Sequence, residues 1–128
     1  MSGALLDTSV FIAVEQGRTL GRALPDDVGV SVVTLAELEL GVLTASDRDT
    51  RAARLRTLVA VRERVAGLPA DQRVASAYAE LAASVLAAGR RPRIHDTWIA
   101  ATAKVHESAV WTQDADFGAF EGIEVVRV

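Results

Sequence analysis

Ala4-Leu5-Leu6-Asp7-Thr8-Ser9-Val10-Phe11-Ile12 sets an apolar triplet, one carboxylate, two hydroxyls and a second apolar run in succession. The triplet reads as a short strand buried on both faces, because it has no polar alternate to turn toward water. Asp7 then lies at the carboxyl end of that strand. Thr8 or Ser9 can cap a helix carrying Val10, Phe11, Ile12 and Val14, which Gly17 ends. A strand that turns directly into a helix is the first half of a βαβ unit.

The remainder of the chain repeats this pattern. A short helix is expected over residues 18–24, stopped by Pro25-Asp26-Asp27. Residues 28–33, rich in valine, form the second expected strand. Thr34-Leu35-Ala36-Glu37 then opens a helix with Leu35, Leu38 and Val42 on one face. A longer helix is expected over residues 47–61, with a narrow apolar stripe through Leu55, Leu58 and Val59. Residues 65–69 suit a short third strand. Val74, Tyr78, Leu81, Ala82 and Val85 recur at helical intervals over residues 71–88, and Gly89 closes that helix. The loop Arg90-Arg91-Pro92-Arg93 leads to a helix over residues 96–106. A fourth strand follows at Ala109-Val110-Trp111-Thr112 and a terminal one at residues 124–128. Apolar strands alternating with helices imply an α/β fold around a parallel sheet.

The 128 residues suit one domain spanning 1–128, and with half of them hydrophobic there is enough apolar side chain for a core. No apolar run approaches the ~20 residues of a membrane span, and the N-terminus lacks the features of a secretory signal. The absence of cysteine excludes a disulfide framework, a thiolate zinc site and a cysteine nucleophile. A cytoplasmic protein with no membrane partner is expected. A net charge of −3 excludes a global basic field that would draw the chain onto nucleic acid. Of the basic residues thirteen are arginine and only Lys104 is lysine. Arginine suits bidentate phosphate contacts, and the same skew also follows from a GC-rich genome.

The carboxylates carry the functional reading. Ligands of open parallel sheets bind beyond the carboxyl ends of the strands, at a switch in strand order. Asp7 follows the first strand and Asp114 the fourth; were those strands neighbours, the two would share one crevice. Glu37 stands on the first turn after the second strand, Asp96 at the start of the helix leading into the fourth, and Asp116 two residues beyond Asp114. Clustered carboxylates repel unless a cation neutralises them. With only oxygen ligands on offer, that chemistry favours Mg²⁺ or Mn²⁺ over zinc. Each residue also has a plain structural reading: Asp96 as a helix N-cap, Glu37 with Thr34 as a capping box, Asp7 as turn chemistry, Asp114 and Asp116 as loop residues. His95 reads as a loop residue, and Trp98 and Trp111 as structural.

Leu6-Asp7-Thr8-Ser9, Thr34-Leu35-Ala36-Glu37-Leu38, Ile94-His95-Asp96-Thr97-Trp98-Ile99-Ala100-Ala101 and Thr112-Gln113-Asp114-Ala115-Asp116-Phe117 occur in that order along the chain. Together they resemble the motifs of PIN-domain ribonucleases, and are most similar to the VapC toxins of type II toxin–antitoxin pairs. The resemblance implies a three-layer α/β/α fold around a mostly parallel sheet of four or five strands. It implies a Mg²⁺-dependent endoribonuclease, a homodimer acting on RNA and inhibited by a cognate VapB-type antitoxin. Residue by residue, Asp7, Glu37, Asp96 and Asp114 match the family's acidic quartet, Asp116 a further acidic position, and Thr8 and Thr112 the hydroxyls beside the metal. In that reading Asp7, Asp96, Asp114 and Asp116 are candidate metal ligands. Arg90, Arg91 and Arg93 are candidates to hold RNA phosphates, or else a solvated loop. The arginines at 48, 51, 54 and 56 read as a solvated helix face or a partner surface. Alternatives of other kinds are a DNA-directed nuclease of the same fold and a non-catalytic binding module with structural carboxylates. A phosphatase with a nucleophilic Asp-x-Asp is disfavoured, because Asp7 is followed by Thr8-Ser9.

Overall fold

The computed structural model describes residues 3–115, 117 and 120–128. Five strands, β1 (Ala4–Leu6), β2 (Val28–Ser31), β3 (Ala66–Leu68), β4 (Ala109–Thr112) and β5 (Val125–Arg127), form one sheet in the order β3-β2-β1-β4-β5. Every pairing is parallel. β1 is the centre, and its three residues are almost wholly buried. From β1 the chain winds outward through β2 to β3, then returns to the other side of β1 to place β4 and β5. The switch in strand order therefore falls between β1 and β4, where Leu5 pairs with Val110 and Leu6 with Trp111.

Five helices cover the sheet: α1 (Thr8–Glu15), α2 (Val32–Leu43), α3 (Arg48–Arg64), α4 (Gln72–Ala87) and α5 (Ile94–Val105). Two separate cores make the three layers. Val74, Ala77 and Leu81 of α4 and Ile99, Ala100, Ala101 and Ala103 of α5 pack with Leu5 and Val110. Leu38 and Val42 of α2 and Leu58 and Val61 of α3 pack with Val30, joined by Phe11. The alanines of α5 let its backbone approach its neighbours closely. Its two buried threonines, Thr97 and Thr102, satisfy their hydroxyls on the carbonyls of Arg93 and Trp98, one turn back. Among the described residues no helix is long and apolar enough to cross a membrane.

The helix starts show local chemistry at work. Asp47 and Asp71 cap α3 and α4, accepting the N–H of Thr50 at 2.8 Å and of Val74 at 3.0 Å. The Thr50 N–H also holds the Asp47 carboxyl below its ordinary range. Gly17, at φ +73°, turns the chain out of α1 in the left-handed conformation that glycine adopts without strain.

Several expectations are corrected. No helix forms over residues 18–24. The stretch contains Gly21 and only two large apolar residues, Leu20 and Leu24, so nothing offsets the cost of nucleating so short a helix. Its Arg22 instead lies over the Trp111 ring, 5.1 Å from the centroid. The second strand ends at Ser31, not residue 33: the Ser31 hydroxyl accepts the Val33 N–H at 3.1 Å and starts α2 two residues early, overriding the strand preference of two valines. On α3 the buried stripe is Leu58 and Val61, whereas Leu55 and Val59 are exposed.

Candidate active site

The carboxyl edge of the sheet at the β1–β4 switch holds Asp7, buried to 6 % exposure. Its N–H donates to the Trp111 carbonyl at 2.9 Å, which ties the end of β1 to β4. Two hydroxyls donate to Asp7 Oδ2, Ser9 at 2.7 Å and Thr112 at 2.8 Å. The same two hydroxyls accept from the β4 exit: the Gln113 N–H donates to Ser9 Oγ and the Asp114 N–H to Thr112 Oγ1, each at 3.0 Å. Asp7 thus anchors a network that also positions the backbone of Asp114. Both hydroxyl bonds fall on Oδ2, so Oδ1 is left for another partner.

Glu37 approaches from α2. Thr8 donates to its Oε1 at 2.7 Å and stands 3.0 Å from the buried Thr34 hydroxyl. The other oxygen, Oε2, lies 3.3 Å from His95 Nδ1 of α5. The capping-box reading of Thr34 and Glu37 is therefore wrong: Ser31 is the cap, Thr34 is buried, and Glu37 is held by Thr8 from a different helix. His95 is likewise not a loop residue but stands in the first turn of α5 against Glu37.

Asp96 comes from the same first turn of α5. The helix begins at Ile94 with Arg93 as its N-cap, so Asp96 is inside the helix and is not the cap. Its side chain, 15 % exposed, turns inward. Burial pushes its carboxyl up to about 6; Arg93 opposes this, while Asp7, Asp114 and Glu37 raise it further by repulsion. The other three carboxylates of the quartet thus all act electrostatically on Asp96. Asp96 Oδ2 is 3.0 Å from Arg93 Nε, but that N–H is not directed at it, and this buried oxygen has no hydrogen bond. Arg93 Nη2 donates to Asp114 Oδ2 at 3.0 Å.

The donor set suits a hard divalent cation: anionic oxygens only, one of them buried without a hydrogen bond, and no thiolate or imidazole pair. Among the described residues no three carboxylates already converge on one point as an ion's ligands; Arg93 stands between Asp96 and Asp114. Glu37, Pro92, Arg93, Ile94, His95 and Asp96 line an open depression of about 490 Å³ beside the quartet. A second cleft of about 200 Å³ runs from Thr8 and Glu37 past Ile12, Gly41 and Arg54.

The sequence-derived set is thus brought together in large part. Asp7, Thr8, Glu37, Asp96, Thr112 and Asp114 share one edge. Arg90 and Arg91 are exposed in the loop before α5, whereas Arg93 is turned back onto the acids. Asp116 lies outside the described residues. Ser9 is the residue that motif reading missed as a site group. Its spacing of two from Asp7 is the available signal, since a hydroxyl there can fold back on the carboxylate. Trp98 is structural as expected, stacked on Tyr78 with centroids 4.3 Å apart.

Residues 4–123 match the PIN domain family. Ribonuclease VapC5 of Mycobacterium tuberculosis is 49 % identical across 99 % of this chain and 96 % of its own length. Ribonuclease VapC4 of the same organism is 45 % identical across 98 % of this chain and 96 % of its own. The crystal structure of VapBC-5, a toxin–antitoxin system of M. tuberculosis, contains a chain 45 % identical to this one. It superposes with a TM-score of 0.88, covering all of both chains. FitAcB of Neisseria gonorrhoeae contains a chain 29 % identical, with a TM-score of 0.72 and 95 % of each chain covered. Nucleases of this kind are typically metal-dependent.

Proposed function

We propose a mechanism and partners for a chain that belongs to the PIN-domain family, among the VapC ribonuclease toxins of type II toxin–antitoxin systems. Residues 1–128 act as one PIN-like domain that cleaves RNA internally at the β1–β4 edge. Asp7, Asp96 and Asp114 are the metal ligands, with Asp116 a further one. The observation that carries this reading is Asp96 Oδ2: a buried anionic oxygen without a hydrogen bond, among three more carboxylates.

A bound Mg²⁺, or Mn²⁺ in its place, supplies Lewis acidity that lowers the pKa of water and neutralises charge building on the phosphate. The protein supplies the rest. Glu37, fixed by Thr8 and facing His95, orients the attacking water and accepts its proton. The water oxygen attacks phosphorus in line as the bond to the 3′ oxygen breaks, and that oxygen takes a proton from solvent water, leaving a 5′-phosphate and a 3′-hydroxyl. Thr112 and Ser9 hold Asp7 in place and position the Asp114 backbone. Arg90 and Arg91 hold flanking RNA phosphates by charge.

The decisive experiment is cleavage of structured RNA by purified toxin with Mg²⁺, with Mn²⁺ and with EDTA. Cutting is expected only with metal and is expected to vanish in Asp96→Asn while the fold persists. Equal cutting by wild type and Asp96→Asn in EDTA would reject the mechanism.

The toxin is a homodimer, as its family resemblance implies, and it is restrained by a cognate VapB-type antitoxin, a reading that the toxin–antitoxin complexes of its relatives support. Leu40, Leu43, Leu55 and Val59, large apolar side chains left exposed on α2 and α3, are surface that a protein partner would cover. A small reading frame adjacent to the toxin gene, whose product copurifies with the toxin and blocks cleavage, is the expected finding.

A further inference from the structure

Arg93 is half exposed, with 53 % of its side chain in solvent, yet it reaches back over the acids rather than out toward solvent. It joins two segments that the chain brings together only at this edge. Its Nε lies 3.0 Å from Asp96 Oδ2 in the first turn of α5, and its Nη2 3.0 Å from Asp114 Oδ2 after β4. The fit is imperfect. A guanidinium holds its donors rigidly in one plane; here it bonds Asp114 and leaves Asp96 Oδ2 with charge nearby but no directed N–H. A positive group thus stands at two candidate ligands without satisfying them both. Among the described residues, meanwhile, no three carboxylates converge as a metal's ligands.

We propose that Arg93 is an internal counter-ion that holds Asp96 and Asp114 in the metal-free toxin and competes with the divalent cation for them. The inference rests on the reading of those two residues as metal ligands. A guanidinium and a cation drawn to the same carboxylates repel each other, and a doubly charged ion outweighs a singly charged one there. Arg93 therefore spares the metal-free fold the repulsion of its clustered acids, and it lowers the apparent affinity of the site for metal. When released, its guanidinium stays tethered by its own backbone at the rim of the depression, where it can meet an RNA phosphate.

Calorimetric titration with MnCl₂ alone, without RNA, tests this on wild type, Arg93→Gln and Arg93→Lys. Because exposed ion pairs are individually weak, Arg93→Gln is expected to bind Mn²⁺ roughly three- to tenfold more tightly than wild type, with Arg93→Lys between them. In EDTA, Arg93→Gln is expected to melt below wild type, and saturating Mn²⁺ to close that gap. Equal or weaker Mn²⁺ binding by Arg93→Gln overturns the counter-ion role while leaving the metal reading intact. No Mn²⁺ binding by wild type or by either variant overturns both, the metal reading first. The side chain's exposure makes a folding defect in Arg93→Lys unexpected, and circular dichroism of each variant checks it.

Discussion

Asp7 and Asp96 meet at the same edge of the sheet but are held in opposite ways. Asp7 is the more buried, and two hydroxyls that themselves accept backbone N–H groups donate to it. Asp96 is less buried, yet one of its oxygens has no hydrogen bond and its carboxyl is pushed up to about 6. Depth alone does not decide what a buried carboxylate costs; the direction of the donors around it does. The β1–β4 side of the site is a finished structural joint, and the α5 side is left charged and underserved.

The largest test of this contrast is catalytic. On the reading of both as metal ligands, Asp7→Asn and Asp96→Asn are expected to lower the rate of RNA cleavage by roughly 10³-fold or more. Cleavage retained by either variant in single-turnover assays would remove that residue from the chemistry.

Stability should then separate the two. In EDTA near neutral pH, Asp96→Asn is expected to raise the free energy of unfolding by about 1–3 kcal/mol, as its folded pKa of about 6 lies above the ordinary 3.8. The sign follows from linkage: a carboxyl raised in the folded state favours folding while protonated. Its contribution is complete below about pH 4 and is lost as pH rises through about 6. Urea denaturation of the metal-free protein should show wild type losing stability across that window and Asp96→Asn losing less. Equal slopes would contradict the contrast.

Thr112→Val probes the finished side. It leaves the Asp114 N–H without its acceptor and Asp7 with Ser9 alone, and should destabilise the fold by about 1–3 kcal/mol. An unchanged urea midpoint would mean that water replaces the hydroxyl at no cost. The smallest effect is expected at Leu40→Ser on the exposed face of α2, within about 0.5 kcal/mol in the free toxin. The same change should weaken binding of the antitoxin, measured by calorimetry.

Much of this arrangement is legible in the sequence, for identifiable reasons. The strands β1 and β4 and the helices α4 and α5 declare themselves because period and apolarity agree along each. The spacing of Asp7, Glu37, Asp96 and Asp114 along alternating strands and helices points to one edge, which the β1–β4 pairing realises. What the sequence conceals lies in side-chain direction. Thr34 and Glu37 satisfy a capping pattern locally, but a hydroxyl from α1 claims Glu37 and Ser31 takes the cap. Arg93 reads as a phosphate contact because its loop is basic, while the acids behind it attract it more strongly than solvent does. The absent helix over residues 18–24 reflects the same limit: propensity is visible in sequence, but the partner that would make it worthwhile is not.

The hydrogen bond from Thr112 to Asp7 spans 105 residues of chain. A ribosome making this chain therefore releases Asp7 105 residues before the threonine that completes the joint. Every shorter nascent chain lacks the β4 side of this edge, so the joint around Asp7 cannot close until Thr112 has emerged. The central strand thus makes the closing of this joint a late event of synthesis, set by the order in which its neighbours are made.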